Sequence, residues 1–287
     1  MSKAMSFDPA PVSVIVPCFQ AHATLERAVD TVVSQTLRPA ELILVDDASD
    51  DGGATVEVMQ RIQARERRLR VRVLTLARNQ GPGGARNAAW AEATQPWLAF
   101  LDADDGWHPR KLELQAGWLA ENPEVALCAH GFVIRRSGAP PDWPLASRWS
   151  ASRVSYRRLL PWNRFVTPSV VVRRDLPHRF RAGRRYLEDF LLWLEILAEG
   201  HPAAYLDLPL ACLFKANFGE GGLSADLWKM ERAELSMYRT LQRERRLSRA
   251  SFRSLAAFSL LKFARRVALS RLRGGLVGLR ESRRGHQ

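Results

Sequence analysis

Cysteine and lysine are scarce in this chain, and long apolar runs are missing. Only three cysteines occur in 287 residues, Cys18, Cys128 and Cys212. They lie too far apart for a zinc spacing and cannot make a full disulfide set, which fits a reducing compartment. No apolar stretch approaches the ~20 residues that cross a bilayer. The first ten residues carry Lys3 and Asp8 and no apolar signal core, so a cytoplasmic location is expected rather than secretion. Neither a Gly-x-Gly-x-x-Gly turn nor a Walker pattern is present, which removes support from dinucleotide and ATPase readings. Disorder is excluded as well, because 46% hydrophobic and 25% charged residues suffice for a full core.

What is abundant is arginine. The formal charge is +13, and only five of the 43 basic residues are lysine. Such a charge first suggests nucleic acid or an anionic membrane, but its distribution argues otherwise. Residues 1–134 carry a net −4, residues 135–185 +11, residues 186–228 −6 and residues 229–287 +12. An acidic first half followed by alternating blocks is not a uniformly basic nucleic-acid binder, and no nucleic-acid partner is expected.

Two periodicities alternate over the first 134 residues. Strands are expected at Val12–Val16, Glu41–Val45, Val71–Leu76, Pro96–Leu101 and Val125–Ile134, from short apolar or β-branched runs. Helices are expected between them, at about Ala23–Gln35, from just after Gly53 to about Arg67, at Ala85–Ala93 and at Pro109–Glu121. Repeated strand–helix–strand units imply an α/β fold with a mostly parallel sheet covered on both faces. Ligands of such sheets sit beyond the carboxyl ends of the strands. The polar segments Pro17–Gln20, Asp46–Gly53, Ala77–Gly84 and Asp102–Gly106 all follow strands, so they should converge on one edge. Beyond Arg135 the pattern weakens. An irregular basic stretch contains Pro140, Pro141, Trp143, Pro144 and Trp149, and Val170–Val172 is a brief strand. Leu187–Ala198 forms an amphipathic helix, and helices run from past Gly222 to about Arg273.

Asp102 and Asp104 stand two residues apart at a strand end, where i and i+2 face the same side in extended chain. Hard oxygen ligands that leave positions open suit Mg²⁺ or Mn²⁺ bound to a nucleoside diphosphate. A solvated acidic turn is the plain alternative, and Asp105 can instead cap the helix that follows. His22, His108, His130, His178 and His201 show no ligand spacing and read as structural or exposed.

Taken in order, Val14-Ile-Val-Pro17-Cys-Phe19, Gln35, Glu41 to Gly52, Asn79-Gln-Gly81 with Ala85-Arg-Asn87, Phe100-Leu-Asp-Ala-Asp-Asp105 and Glu188-Asp189 resemble glycosyltransferase family 2. The resemblance implies a GT-A fold and an inverting transfer of a sugar from a nucleoside diphosphate donor, a UDP-sugar by preference, to a hydroxyl acceptor, assisted by Mg²⁺ or Mn²⁺. It implies a saccharide or lipid-linked saccharide acceptor, in polysaccharide biosynthesis. By the same resemblance Pro17 and Phe19 pack around the donor base and Asp47 accepts a hydrogen bond from it. Arg86 lies near the diphosphate, Asp102 contacts ribose or metal, and Asp104 ligates the metal. Asp189 is the catalytic base, with Glu188 beside it, although acidic residues favour a first helical turn in any case. Gly81, Gly83 and Gly84 form a close-approach loop. Phe19 and Gln20 replace the family's usual Tyr and Asn, and Lys215-Ala-Asn217 with Ser224 stands where relatives carry Arg-x-His and Ser. The family's Gln-x-x-Arg-Trp motif is absent, which argues against a processive synthase.

The expected organisation is a GT-A catalytic domain over residues 1–225, with a nucleotide-sugar half at 11–134 and an acceptor half at 135–225. A basic helical extension follows at 226–287. Residues 229–273 hold 13 basic and 3 acidic residues interleaved with an apolar stripe that includes Phe252, Leu255, Phe263 and Val267. Such a segment lies on an anionic membrane surface, placing the protein peripherally on the inner face, or packs onto the core or a second copy, and the two readings are compatible. Two other activities remain open: a nucleotidyltransferase of nucleotide-sugar synthesis, and a basic nucleic-acid-binding protein. The first lacks a Gly-rich phosphate loop after the first strand. The second leaves the strand-end carboxylates unexplained.

Overall fold

The computed structural model describes residues 9–135, 143–214 and 226–284, with side chains described as far as residue 267. It divides into two compact units, residues 1–218 and 219–287.

The first unit opens with β1 (Ala10–Cys18), α1 (Leu25–Val33), β2 (Pro39–Asp46), α2 (Ala54–Arg65), β3 (Arg70–Thr75), α3 (Gly81–Glu92) and β4 (Trp97–Phe100). Both faces of β1 and β2 are buried, as continuous β-branched and leucine runs require when helices cover a parallel sheet on both sides. The strands lie in the order β3-β2-β1-β4, all parallel. The chain continues through β5 (Gly106–Trp107), α4 (Lys111–Glu121), β6 (Leu127–Arg135), β7 (Ala151–Val154) and the short α5 (Tyr156–Leu159). A 3₁₀ turn at Thr167–Ser169, β8 (Val171–Arg173), α6 (Glu188–Ala198) and β9 (Ala203–Phe214) complete the unit. Strand β8 joins antiparallel to β4 and carries the sheet on through β6, β9 and β5. The long β6–β9 pairing is parallel, so the sheet is mostly parallel, as the alternating pattern predicts.

Gln35 fastens the helical layer. Its side chain is buried, donates to the carbonyls of Thr31 and His108, and accepts from the Leu112 amide. This ties α1 to the start of α4 with every polar atom of the amide used. The cysteines are free and buried, and burial raises the thiol pKa of Cys128 to about 12.

Three strands differ from the sequence expectation. The pairs β5–β9 and β7–β9 are too short to stand out as patterns. Strand β9 was obscured by Asp207 and Pro209, which interrupt its alternation. The pairing tolerates that proline because the register shifts where Gly131 of β6 faces Pro209, and a bulge relieves the ladder of one donor. The glycines at 81, 83 and 84 belong to the first turn of α3 rather than to a loop. Their close approach does occur, since a Cβ on Gly83 would sit 3.1 Å from both Glu188 Cγ and Phe180 Cβ.

The second unit contains α7 (Leu227–Arg243) and α8 (Arg249–Arg284). Asp226 caps α7 by accepting from the Lys229 amide. Glu231 and Glu234 are buried and face α8, where Ser259 and Arg266 meet Glu231 and Lys262 meets Glu234 at 2.7 Å. The Trp228 and Phe263 rings lie 4.7 Å apart. Of the expected stripe, Phe263 is buried and Phe252 and Leu255 are half-buried, while Phe258, Leu260 and Leu261 are exposed.

Candidate functional site

The polar strand ends do converge. Three of the four non-glycine residues with left-handed backbone among those described are Gln20, Ala48 and Leu187, after β1, after β2 and just before α6. Such conformations cost about 1–3 kcal/mol each and concentrate at functional sites. Leu187, at φ 55°, turns the chain directly into Glu188 and Asp189.

At the end of β1, Pro17 is partly buried, and just beyond it Phe19 is 48% exposed, a large apolar surface left open at the site edge. Beyond β2, Asp47 is buried. Its two carboxylate oxygens accept the backbone N–H groups of Gln80 (2.7 Å) and Gly81 (2.8 Å), and its carbonyl accepts from the Asn79 side chain. A carboxylate here satisfies donors that the start of α3 would otherwise leave open. Burial nevertheless raises the Asp47 pKa, against the two amides, which lower it.

The end of β4 carries the acidic pair. Asp104 is exposed and Asp102 half-buried, while Asp105 is buried and accepts the Phe214 amide at 3.1 Å. Asp105 therefore anchors the end of β9 instead of capping the helix after it. Arg27, 77 residues away, donates to the Asp104 carbonyl at 2.6 Å and holds this turn against α1.

Arg86 is the centre of the arrangement. Its guanidinium is buried, donating through Nη2 to Asp102 Oδ1 at 2.6 Å and through Nη1 to Glu188 Oε1 at 3.1 Å. One arginine thus joins the acidic pair after β4 to the acidic pair opening α6. Burial opposes its charge, but Asp102 and Glu188 outweigh that and raise its pKa. The Phe180 ring lies 5.4 Å from the guanidinium carbon. Phe180 belongs to an aromatic floor with Trp90, Phe100 and Trp193, whose ring centroids are 5.5–6.4 Å apart.

Glu188 and Asp189 open α6, the helix that contributes Trp193 to that floor. Burial, then the neighbouring Asp189, pushes the Glu188 carboxyl up to about 7. Burial raises Asp189 too, against the Thr167 hydroxyl and Arg86, which favour its ionised form. Thr167 Oγ1 donates to Asp189 Oδ2 at 2.8 Å. The pair titrates as a unit above the ordinary carboxylate range, which is the environment of a proton acceptor working near neutral pH.

The structure therefore brings Asp102, Arg86, Glu188 and Asp189 into one network and places Asp47, Pro17 and Phe19 at the ends of neighbouring strands. Sequence reasoning missed Thr167, Arg27 and Arg185. Arg185 is exposed and donates to Asn79 Oδ1 at 2.7 Å, and its charge acts on Asp47. Its place in an Arg-Arg-Tyr run just before the acidic pair was the available signal. Lys215, Asn217 and Ser224, like Pro140 and Pro141, lie outside the described residues. The donor set of Asp102 and Asp104, hard carboxylate oxygens with one side chain exposed, fits Mg²⁺ or Mn²⁺. Among the described residues the one group of three metal-ligating side chains is His178, Glu199 and His201, which lies beyond the other end of α6.

The family model described as "Glycosyl transferase family 2" matches residues 13–178. The chain is 29% identical over 194 residues, 67% of its own length and 72% of the other's, to an Escherichia coli protein named as a UDP-Glc:alpha-D-GlcNAc-diphosphoundecaprenol beta-1,3-glucosyltransferase. Among solved structures it is similar to S. aureus TarS 1–349 in complex with UDP-GlcNAc. The TM-score is 0.66 at 19% identity, covering 87% of this chain and 71% of that one. It is also similar to a mannosyltransferase from Pyrobaculum calidifontis in complex with GDP-Man and Mn²⁺. There the TM-score is 0.58 at 19% identity, covering 94% and 82%.

Proposed function

The chain belongs to glycosyl transferase family 2 and is a glycosyltransferase with the GT-A fold, and we propose that it transfers a sugar, with inversion, from a UDP-sugar to a hydroxyl of a lipid-linked saccharide. The observation that carries the reading is the buried link Asp102–Arg86–Glu188, which joins the strand-end carboxylates to the base candidate. The diphosphoundecaprenol acceptor of the E. coli relative supports the acceptor class, and the UDP-GlcNAc on the TarS fragment supports the donor class.

In this reading the donor base packs on Pro17 and the exposed ring of Phe19. Asp47, fixed by the Gln80 and Gly81 amides, accepts the base's imide hydrogen on a remaining lone pair. Arg185, exposed beside Asn79, takes the diphosphate contact expected of Arg86, while Arg86 positions Asp102 and Glu188. Asp104 and Asp102 would hold Mg²⁺ or Mn²⁺, which would neutralise charge on the diphosphate. Asp189 takes the acceptor hydroxyl's proton. The acceptor oxygen bonds to the anomeric carbon as the bond to the diphosphate oxygen breaks, and that oxygen leaves with the electron pair. Thr167 and Arg86 favour the ionised form of Asp189, and the Thr167 hydroxyl orients it.

In this reading a lipid-linked acceptor would be met at a membrane surface. No helix among the described residues is long and apolar enough to cross a membrane. The exposed Phe258 and Leu261 and the arginines of α8 are the surface we propose for peripheral contact.

Asp189→Asn keeps the side chain's shape but cannot accept the proton. Turnover should fall by ~10² or more, with UDP-sugar affinity in calorimetry nearly unchanged. A variant keeping most of the wild-type turnover would move the base elsewhere, with Glu188 the next candidate.

A further inference from the structure

We infer that His178, Glu199 and His201 form a second metal site, for a dication of the zinc class, distinct from the Asp102–Asp104 edge. The three residues come from two segments that are separate in sequence. His178 lies in the stretch after β8 and is buried. Glu199 closes α6, and His201 leads into β9. Between them Gly200 takes φ +85°, a left-handed turn that a side-chain-bearing residue rarely adopts. That turn brings residues i and i+2 round toward the same partner.

The geometry is that of ligands gathered around one point. His178 Nε2 lies 2.9 Å from Glu199 Oε2. The two imidazole rings meet edge to face, with centroids 5.5 Å apart and planes at 86°. One ligand atom from each of the three residues lies within 4.8 Å of the other two. Bonds of about 2.0–2.1 Å in a tetrahedral site put ligand atoms roughly 3.4 Å apart, which small side-chain rotations can reach. A His178–Glu199 ion pair alone would leave the approach of His201 without a role.

Donor type selects the ion. Two imidazoles and one carboxylate form a nitrogen-rich borderline set that suits Zn²⁺ and its neighbours. Mg²⁺ prefers oxygen donors and water, so the two sites of this chain should discriminate between metals. Three protein ligands leave a fourth position, and His201 also lines a surface cleft with Glu124, Arg173 and Asp175, from which water can complete the set. The consequence is mechanical. Phe180, two residues after His178, exchanges backbone hydrogen bonds with the Asn87 side chain of α3. Helix α6 carries Glu188 and Asp189 at its other end, about 16 Å away at 1.5 Å per residue. A metal here would fasten the Phe180 segment to the foot of that helix.

The test uses the metal-free full-length chain without nucleotide sugar. Titration with Co²⁺ should give visible absorption bands of low-symmetry coordination at one equivalent. Zn²⁺ should displace them and raise Tm, because an ion bound by the folded state alone stabilises it. His201→Gln, at a partly exposed position, should weaken Zn²⁺ binding by at least ~10-fold, since even indirect ligand partners are worth 10–100-fold. Asp104→Asn should leave it unchanged. Glu199→Ala, with a side chain 41% exposed, gives a second variant should His201→Gln fold poorly. The site is overturned by the absence of Co²⁺ bands and Zn²⁺-induced stabilisation. It is equally overturned by undiminished Zn²⁺ affinity in His201→Gln or Glu199→Ala, or by loss of binding in Asp104→Asn alone.

Discussion

Thr167 shows how one hydroxyl can set the working pH of a base. Its Oγ1 donates to Asp189 and lowers a carboxyl pKa that burial raises. A hydrogen bond to a charged group is worth about 1.5–3 kcal/mol, and one pKa unit corresponds to about 1.4 kcal/mol. Thr167→Val should therefore move the acid limb of kcat/KM upward by about one pH unit, with activity recovered at higher pH. Thr167→Ser should restore the wild-type profile. An unshifted limb in the valine variant would remove Thr167 from the proton-accepting assembly. The same pair has a stability signature. Glu188, pushed up to about 7 from 4.5, keeps a proton in the folded chain that the unfolded chain has released. Its stabilising contribution is complete below the ordinary carboxylate value and is lost as pH rises through about 7.

Helices α3 and α6 meet through the smallest side chain available. A Cβ on Gly83 would press on Glu188 and Phe180 at 3.1 Å, so the helix carrying Arg86 approaches the acidic pair only because that position is glycine. Alanine is favoured over glycine within a helix by about 1 kcal/mol, which offsets part of the crowding. Gly83→Ala should therefore change Tm little while reducing turnover roughly tenfold, through displacement of Glu188. Gly117→Ala in α4, where an added Cβ meets nothing within 4 Å, should only stabilise. Equal turnover in the two variants would refute the close-approach argument. Elements of this kind were legible where the sequence pattern is local. The strand–helix alternation located β1 to β4 and put Asp102 and Asp47 at strand ends, and the resemblance supplied Glu188 and Asp189. Contacts made across the fold left no local trace. Thr167 and Asp189 are 22 residues apart, Arg27 and Asp104 are 77 apart, and His178 and His201 show no ligand spacing. Strand β9 escaped notice because Pro209 breaks its alternation at the one place where the facing strand is bulged.

At the scale of the whole molecule, charge and apolar surface are distributed in a way the catalytic network does not require. Helix α8 turns Ser259, Lys262, Phe263 and Arg266 toward α7. Phe258 and Leu261, one turn apart, stay exposed at 41% and 69%. Arg253 and Arg265 are exposed as well. An isolated soluble helix gains nothing from large apolar groups in water, whereas a helix lying in a membrane interface buries them and brings its arginines to anionic headgroups. Each Arg near such a surface is worth about 1 kcal/mol, so the attraction should weaken as salt shortens its range. Full-length protein should co-sediment with vesicles containing anionic lipid at low salt and less so at high salt. Phe258→Ser with Leu261→Ser should reduce the bound fraction several-fold, and Arg253→Gln with Arg265→Gln should flatten the salt dependence. All four side chains are exposed, so Tm should stay close to wild type. If the variants sediment as the wild type does, or if nothing sediments at low salt, α8 is not the membrane contact.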